Sequence, residues 1–108
     1  MLLARPDAAP VFAALGDETR LRVVSRLCEE GPLSIAKLTE GSAVTRQAVT
    51  KHLHVLEGAG LVRGYRAGRE NVWELTPKRL GQAQKYLQMI SDEWDATLGR
   101  LAAFVEDE

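Results

Sequence analysis

A mainly α-helical domain carrying one β-hairpin is what this sequence predicts, and three stretches carry the prediction. Residues 33–60 hold two capped helical patterns joined by the connector Gly41-Ser42-Ala43-Val44. Residues 61–75 hold two strand-like runs around Ala67-Gly68-Arg69-Glu70, where glycine permits a tight turn. Residues 77–106 hold one long heptad pattern, the mark of a helix that pairs with another. A helix-turn-helix followed at once by a hairpin is a winged helix, and the combination is far more specific than either half.

The 108 residues are read as one domain, 1–108, whose 45% apolar and 27% charged content suits a globular chain with a modest core. No apolar run approaches the roughly 18 residues of a membrane span, and the N-terminus lacks the basic start and apolar core of a secretion signal, so a cytoplasmic protein without membrane contact is expected. Cys28 is the only cysteine, which excludes an intrachain disulfide. On an apolar helix face it is expected to be a small core residue and not a redox group. The net charge of −1 hides an asymmetry. Between 45 and 70 there are five Lys/Arg against two acids, whereas 89–108 has six acids and only Arg100. A basic middle and an acidic tail fit one surface that meets phosphates and another that does not.

Taken in order, residues 1–7 look loose, and the N-terminal helices occupy 8–30. The first is short, with Val11, Phe12 and Leu15 as an apolar stripe, and too short to stand alone. Asp17 caps the second, in which Leu21, Val24, Leu27 and Cys28 repeat at helical spacing until Gly31-Pro32 ends it. Arg20, Arg22 and Arg26 on its other faces read as solvent-exposed charges. The helix-turn-helix spans 33–60. Ser34 caps a helix from 35 to about 40, and Leu33 can staple onto Leu38.

Thr45 caps the helix that matters most, with Val44 able to staple onto Val49 and with Gly58 and Gly60 as its stop. At about 100° per residue, Ala48, Val49, His52, Leu53, Val55, Leu56 and Ala59 fall on one side and Arg46, Gln47, Thr50, Lys51 and His54 on the other. One face packs. The other offers a guanidinium, an amide, a hydroxyl and an ammonium, groups that pair with base edges and phosphates in a major groove. The wing hairpin, 61–75, follows with Arg66 and Arg69 at its basic tip, suited to phosphates or a minor groove, while Trp73 and Leu75 are expected to pack inward.

Thr76 as N-cap and Pro77 at the first helical position open the dimerisation helix, 77–106. Leu80, Leu87, Trp94 and Leu101 lie seven apart; Ala83, Ile90, Thr97 and Phe104 form the second row, with Leu98 beside the seam. Such a helix exceeds 40 Å at about 1.5 Å per residue, longer than this domain can cover. A second copy would cover the spare face, giving a homodimer through Leu80, Leu87, Ile90, Trp94, Leu98 and Leu101, with Phe12 of the first short helix alongside. A twofold axis would also set two probe helices about 34 Å apart, one turn of DNA.

The blocks ALGDETRLRVVSRL, GPLSIAKL, TRQAVTKHLHVLEGAGLV and GRENVWELTP, in that order and covering nearly the whole chain, resemble the ArsR/SmtB winged-helix repressors. The resemblance implies a dimeric transcriptional regulator, usually a repressor on an imperfect inverted repeat at its own promoter, whose DNA affinity an inducer lowers. By matching position, it implies DNA contacts from Gln47, Thr50, Lys51 and His52. Metal sensors of that family carry Cys-Val-Cys before the turn, or Asp and His ligands on the last helix. Here Ser34 and Ala36 stand at the cysteine positions, and no His or Cys follows His54. Carboxylates alone suit harder ions than zinc or arsenite, so no metal and no other cofactor is expected. His52 and His54, two apart on a helix, cannot share one ion. The chain resembles the metal-independent branch, where a small apolar ligand near the dimer seam, a thiol change at Cys28, or protein level alone could carry the signal.

An enzyme reading lacks parts: no nucleophile arrangement, no phosphate-cradling loop, no metal set. The rival reading is a dimeric winged-helix protein-interaction module, which would account for the heptads and acidic tail. Against it stands the unpaired row Arg46, Gln47, Thr50 and Lys51, which a purely structural helix would not need.

Overall fold

The structure, a computed structural model, describes residues 8–106; residues 1–7, expected to be loose, lie outside that range. The elements are α1 (Ala8–Leu15), α2 (Glu18–Glu30), β1 (Leu33–Ser34), α3 (Ile35–Thr39), α4 (Arg46–Gly58), β2 (Val62–Ala67), β3 (Glu70–Leu75) and α5 (Pro77–Glu106). Three helices start on the expected caps. Asp17, Ser34 and Thr45 accept from the backbone N–H of Arg20, Lys37 and Ala48 at 3.0, 3.1 and 3.1 Å, satisfying donors that no helical carbonyl can reach.

Helix α4 sits at the centre, touching α1, α2, α3 and β2. Val49, Leu53 and Leu56 on its inner face are at most 1% exposed, and around them gather Val11 and Ala14 of α1, Val23, Val24 and Leu27 of α2, Ile35 and Leu38 of α3, and Leu61, Val62 and Trp73 of the wing. The sheet is antiparallel, in the order β1-β3-β2. β1 is the element that sequence reasoning missed: Leu33 pairs with Trp73 and Ser34 with Val72. A two-residue strand has no periodicity of its own, and only the approach of β3 makes it one. Between β2 and β3, Gly64 lies opposite Trp73. A Cβ there would stand 3.0 Å from the indole ring, so glycine lets the ring lie flat across the hairpin. The two-residue turn has Gly68 at φ 62 and no positive φ at Arg69, the Gly-X pattern of a type II′ turn.

Helix α5 leaves this body. Its first turns pack down, with Ala83 buried and Leu80 against the core edge, and Phe12 of α1 meets Tyr86 ring to ring at 5.7 Å. Thirty residues make it about 45 Å long. Most of the largest dimension of the molecule, 68 Å, is this helix.

Four expectations are corrected. Cys28 is exposed, not a core residue: α2 turns Val23, Val24 and Leu27 inward, and Leu21 is likewise 51% exposed. The heptad-like spacing of Leu21 and Cys28 picked the wrong edge of the stripe by about one position. Val55 of α4 is 47% exposed, because no element among the described residues covers that flank. Arg20 and Arg26 are not free surface charges. Arg26 pairs with Glu30 and donates to the Lys37 carbonyl, and Arg20 donates to α1 and α4 as described below. Fourth, the Thr76 hydroxyl, expected as the cap of α5, instead donates to the Gly60 carbonyl at 2.6 Å, and its N–H donates to the Leu61 carbonyl at 2.9 Å, stitching the start of α5 to the end of α4.

Candidate nucleic-acid interface

With Val49, Leu53 and Leu56 inward, helical geometry leaves three strips on the rest of α4. Gln47 and Lys51, one turn apart, point directly away from the core and are exposed. Neither side chain has a hydrogen bond or ion pair among the described residues. Arg46, Thr50, His54 and Glu57 form the strip toward the wing. Thr50 donates its hydroxyl back to the Arg46 carbonyl at 2.9 Å, and His54 sits edge-on to Trp73 at 5.7 Å and 3.4 Å from the Glu57 carboxylate. The third strip faces α1 and α2 and carries His52.

Across from the Arg46 strip stand Tyr65, Arg66 and Asn71 of the hairpin, and between the two walls is an open cleft of about 420 Å³. Its tip is cationic. Arg66 and Arg69 are exposed, Arg66 reaching back only to the Gly68 carbonyl at 3.3 Å. Arg63, by contrast, is committed to Glu74 across the strands and lies 5.9 Å from the Tyr65 ring. The structure therefore brings Arg46, Thr50, His54 and Arg66 around one cleft, with Gln47 and Lys51 on the neighbouring strip of α4 and Arg69 exposed at the hairpin turn. Sequence reasoning overlooked Tyr65, Asn71 and Glu57 in this cleft. The spacing of Arg46, Thr50, His54 and Glu57 signalled the helix wall, but the facing hairpin residues depend on a tertiary approach.

His52 is set apart from that group. Only 23% of its side chain is exposed, and its Nδ1 lies 3.1 Å from Nη1 of Arg20 and 3.8 Å from Oδ2 of Asp17. A guanidinium can only donate, so Nδ1 accepts and the ring proton of the neutral form resides on Nε2. The Arg20 backbone N–H holds the Asp17 carboxyl below its usual range. The Arg20 charge and the Thr19 N–H act in the same sense, against the opposing effect of burial.

No three His, Cys, Asp or Glu side chains converge as metal ligands among the described residues. No helix among them is long and apolar enough to cross a membrane.

Residues 15–65 match the family model described as a helix-turn-helix domain, which spans α2 through most of β2. Over 103 residues the chain is 36% identical to the HTH-type transcriptional regulator Rv2034 of Mycobacterium tuberculosis, covering 95% of this chain and 91% of that relative. It is 30% identical over 69 residues to the arsenical resistance operon repressor of Bacillus subtilis, 64% of this chain and 66% of the repressor. Among solved structures, an ArsR-like transcriptional regulator from Rhodococcus sp. RHA1 superposes with a TM-score of 0.74 at 35% identity, covering 91% of this chain and 92% of that one. A winged helix-turn-helix with its polar helix face open, matched over nearly its whole length by such regulators, belongs to the ArsR family of DNA-binding transcriptional regulators, which are not enzymes.

Proposed function

We propose that the protein is a homodimeric repressor that binds an inverted-repeat operator at its own promoter, in the cytoplasm, through α4 and the wing. The observation that supports this reading is the outward pair Gln47 and Lys51, without hydrogen-bond or ion-pair partners among the described residues, together with a hairpin whose Arg66 and Arg69 are exposed. In a major groove Gln47 would read an adenine edge while Lys51 and Arg46 take phosphates, and the wing arginines would reach the flanking backbone. Thr50 and His54 line the cleft between helix and wing and complete that surface; His52 supports it from behind.

The dimer is proposed on α5. Leu87, Trp94, Leu98, Leu101 and Phe104 are each more than half exposed, an apolar seam longer than monomers leave in water. Ile90 is half-buried within the same seam. Leu80 and Phe12 lie at its root, packed against the core edge, so they would contribute where α1 and α5 meet the second copy. A small-molecule inducer remains part of the proposal, acting through that seam.

The test is binding of the purified protein to its own upstream DNA and to a scrambled duplex at two salt concentrations, with a footprint. Expected is salt-sensitive preference for the upstream duplex and two protected half-sites about one helical turn apart. Equal, feeble binding to both would overturn the operator assignment.

A further inference from the structure

The side chain that reaches α4 from behind is Arg20, and it belongs neither to the DNA-facing surface nor to the apolar core. Its Nε donates to the Ala14 carbonyl at the end of α1 at 2.7 Å. Its Nη1 donates to His52 Nδ1 in the middle of α4 at 3.1 Å. Its own N–H is held by the Asp17 cap at 3.0 Å. One planar guanidinium thus joins α1, α2 and α4, and its fork fixes the direction of both bonds. The buried residues that seat α4, Val49, Leu53 and Leu56, are apolar, and apolar contact is non-directional. It decides which face of the helix is buried but resists small rotations about the axis less sharply than a directional bond does. That rotation decides where Gln47 and Lys51 aim, because they stand on the face opposite the seat.

We propose that Arg20 is the positioning residue of the DNA-reading helix, locking its rotation through His52 and tying it to α1. The proposal rests on the reading of α4 as that helix. Since α1 meets α5 through Phe12 and Tyr86, a displacement of α5 would reach α4 along this path, from ring pair to the Ala14 carbonyl to guanidinium to imidazole. His52 takes part as an acceptor at Nδ1 and needs no contact with DNA.

The test uses the full chain and a duplex selected from a random pool by the wild-type protein, with a scrambled duplex as reference. Arg20→Lys keeps the charge but cannot span both acceptors with a fixed fork. His52→Ala removes the acceptor, while His52→Asn places an amide oxygen near the position of Nδ1. Expected is a tenfold or greater loss of affinity for the selected duplex with Arg20→Lys and with His52→Ala. Binding to the scrambled duplex and the salt slope should stay within twofold, and His52→Asn should recover most of the loss. The double variant should be no weaker than either single variant, since both break one bond. Urea unfolding separates a folding defect from a reading defect: variants that bind the scrambled duplex normally are folded. Unchanged affinity for the selected duplex, additive losses, or a salt slope lowered by about one, the sign of a phosphate contact, would each overturn the proposal. Gln47→Ala in the same assay separates the two ideas. If it too leaves selected-duplex binding intact, the reading of α4 fails and this proposal with it; if it weakens binding while Arg20→Lys does not, only the lock fails.

Discussion

Replacing Trp94 by alanine should take the proposed dimer apart. Trp94 stands in mid-helix, 62% exposed, with Leu87 and Leu101 one heptad to either side. A tryptophan buries up to about 250 Å², so the exposed share is roughly 150 Å². At ~25 cal/mol per Å² its burial against a second copy would contribute about 4 kcal/mol as an upper bound. Burial in an interface is incomplete and alanine keeps part of the contact. Taking roughly 1.5 to 2 kcal/mol per protomer, the twofold loses about 3 to 4 kcal/mol, or two to three orders of magnitude in the dimer dissociation constant. Sedimentation over nanomolar to micromolar protein would show the shift. DNA binding should weaken in step and become steeper in protein concentration, since two monomers must then assemble on the duplex. Asp95→Ala, beside it on the helix and polar, is the control and should change little. A Trp94→Ala variant that remains dimeric at nanomolar concentration would refute the assignment of the seam.

Three further outcomes are expected. Gln47→Ala should relax base preference at one position and cost about 1 to 3 kcal/mol of specific binding, read from affinities across a panel of single-base variants; an unchanged profile would remove Gln47 from the reading surface. Arg66→Ala or Arg69→Ala should instead weaken binding to all sequences alike and lower the salt slope by about one each, measured by titration at several ionic strengths. Asp17→Asn should flatten the acid limb of the stability curve. The folded carboxyl is held below its ordinary value, first by the Arg20 N–H, so its contribution is present above the unfolded pKa and is lost as pH falls through the folded one. Asparagine caps a helix about as well but does not titrate. Urea midpoints from neutral pH down to about pH 3 that run parallel in both proteins would count against this account.

Much of the fold was legible because it rests on local chemistry. Asp17, Ser34 and Thr45 are caps whose meaning depends on three neighbouring residues, Gly68 marks a turn by its own backbone freedom, and the seven-residue repeat from Leu80 to Leu101 needs only a helix to become a stripe. The outward strip Gln47–Lys51 follows from the same arithmetic, since naming the buried face of a helix names its opposite. The flanks of that face were less legible. His52 stands on the border of the packed face, and spacing alone cannot tell a border residue that meets DNA from one that meets Arg20.

By itself, then, the sequence determined the order of elements, the caps and turns, the outward polar face of α4 and the surplus apolar length of α5, because each follows from interactions a few residues apart. Tertiary structure decided the rest. It made Leu33-Ser34 a strand by laying β3 beside it, exposed Cys28 and Val55 by leaving their flanks uncovered, placed Tyr65 and Asn71 across from Arg46, and turned Arg20 from a surface charge into a three-way tie. What arrives, or fails to arrive, at these positions comes from distant parts of the chain, as the 32-residue separation of Arg20 and His52 shows, and a local pattern carries no record of which distant segment will arrive.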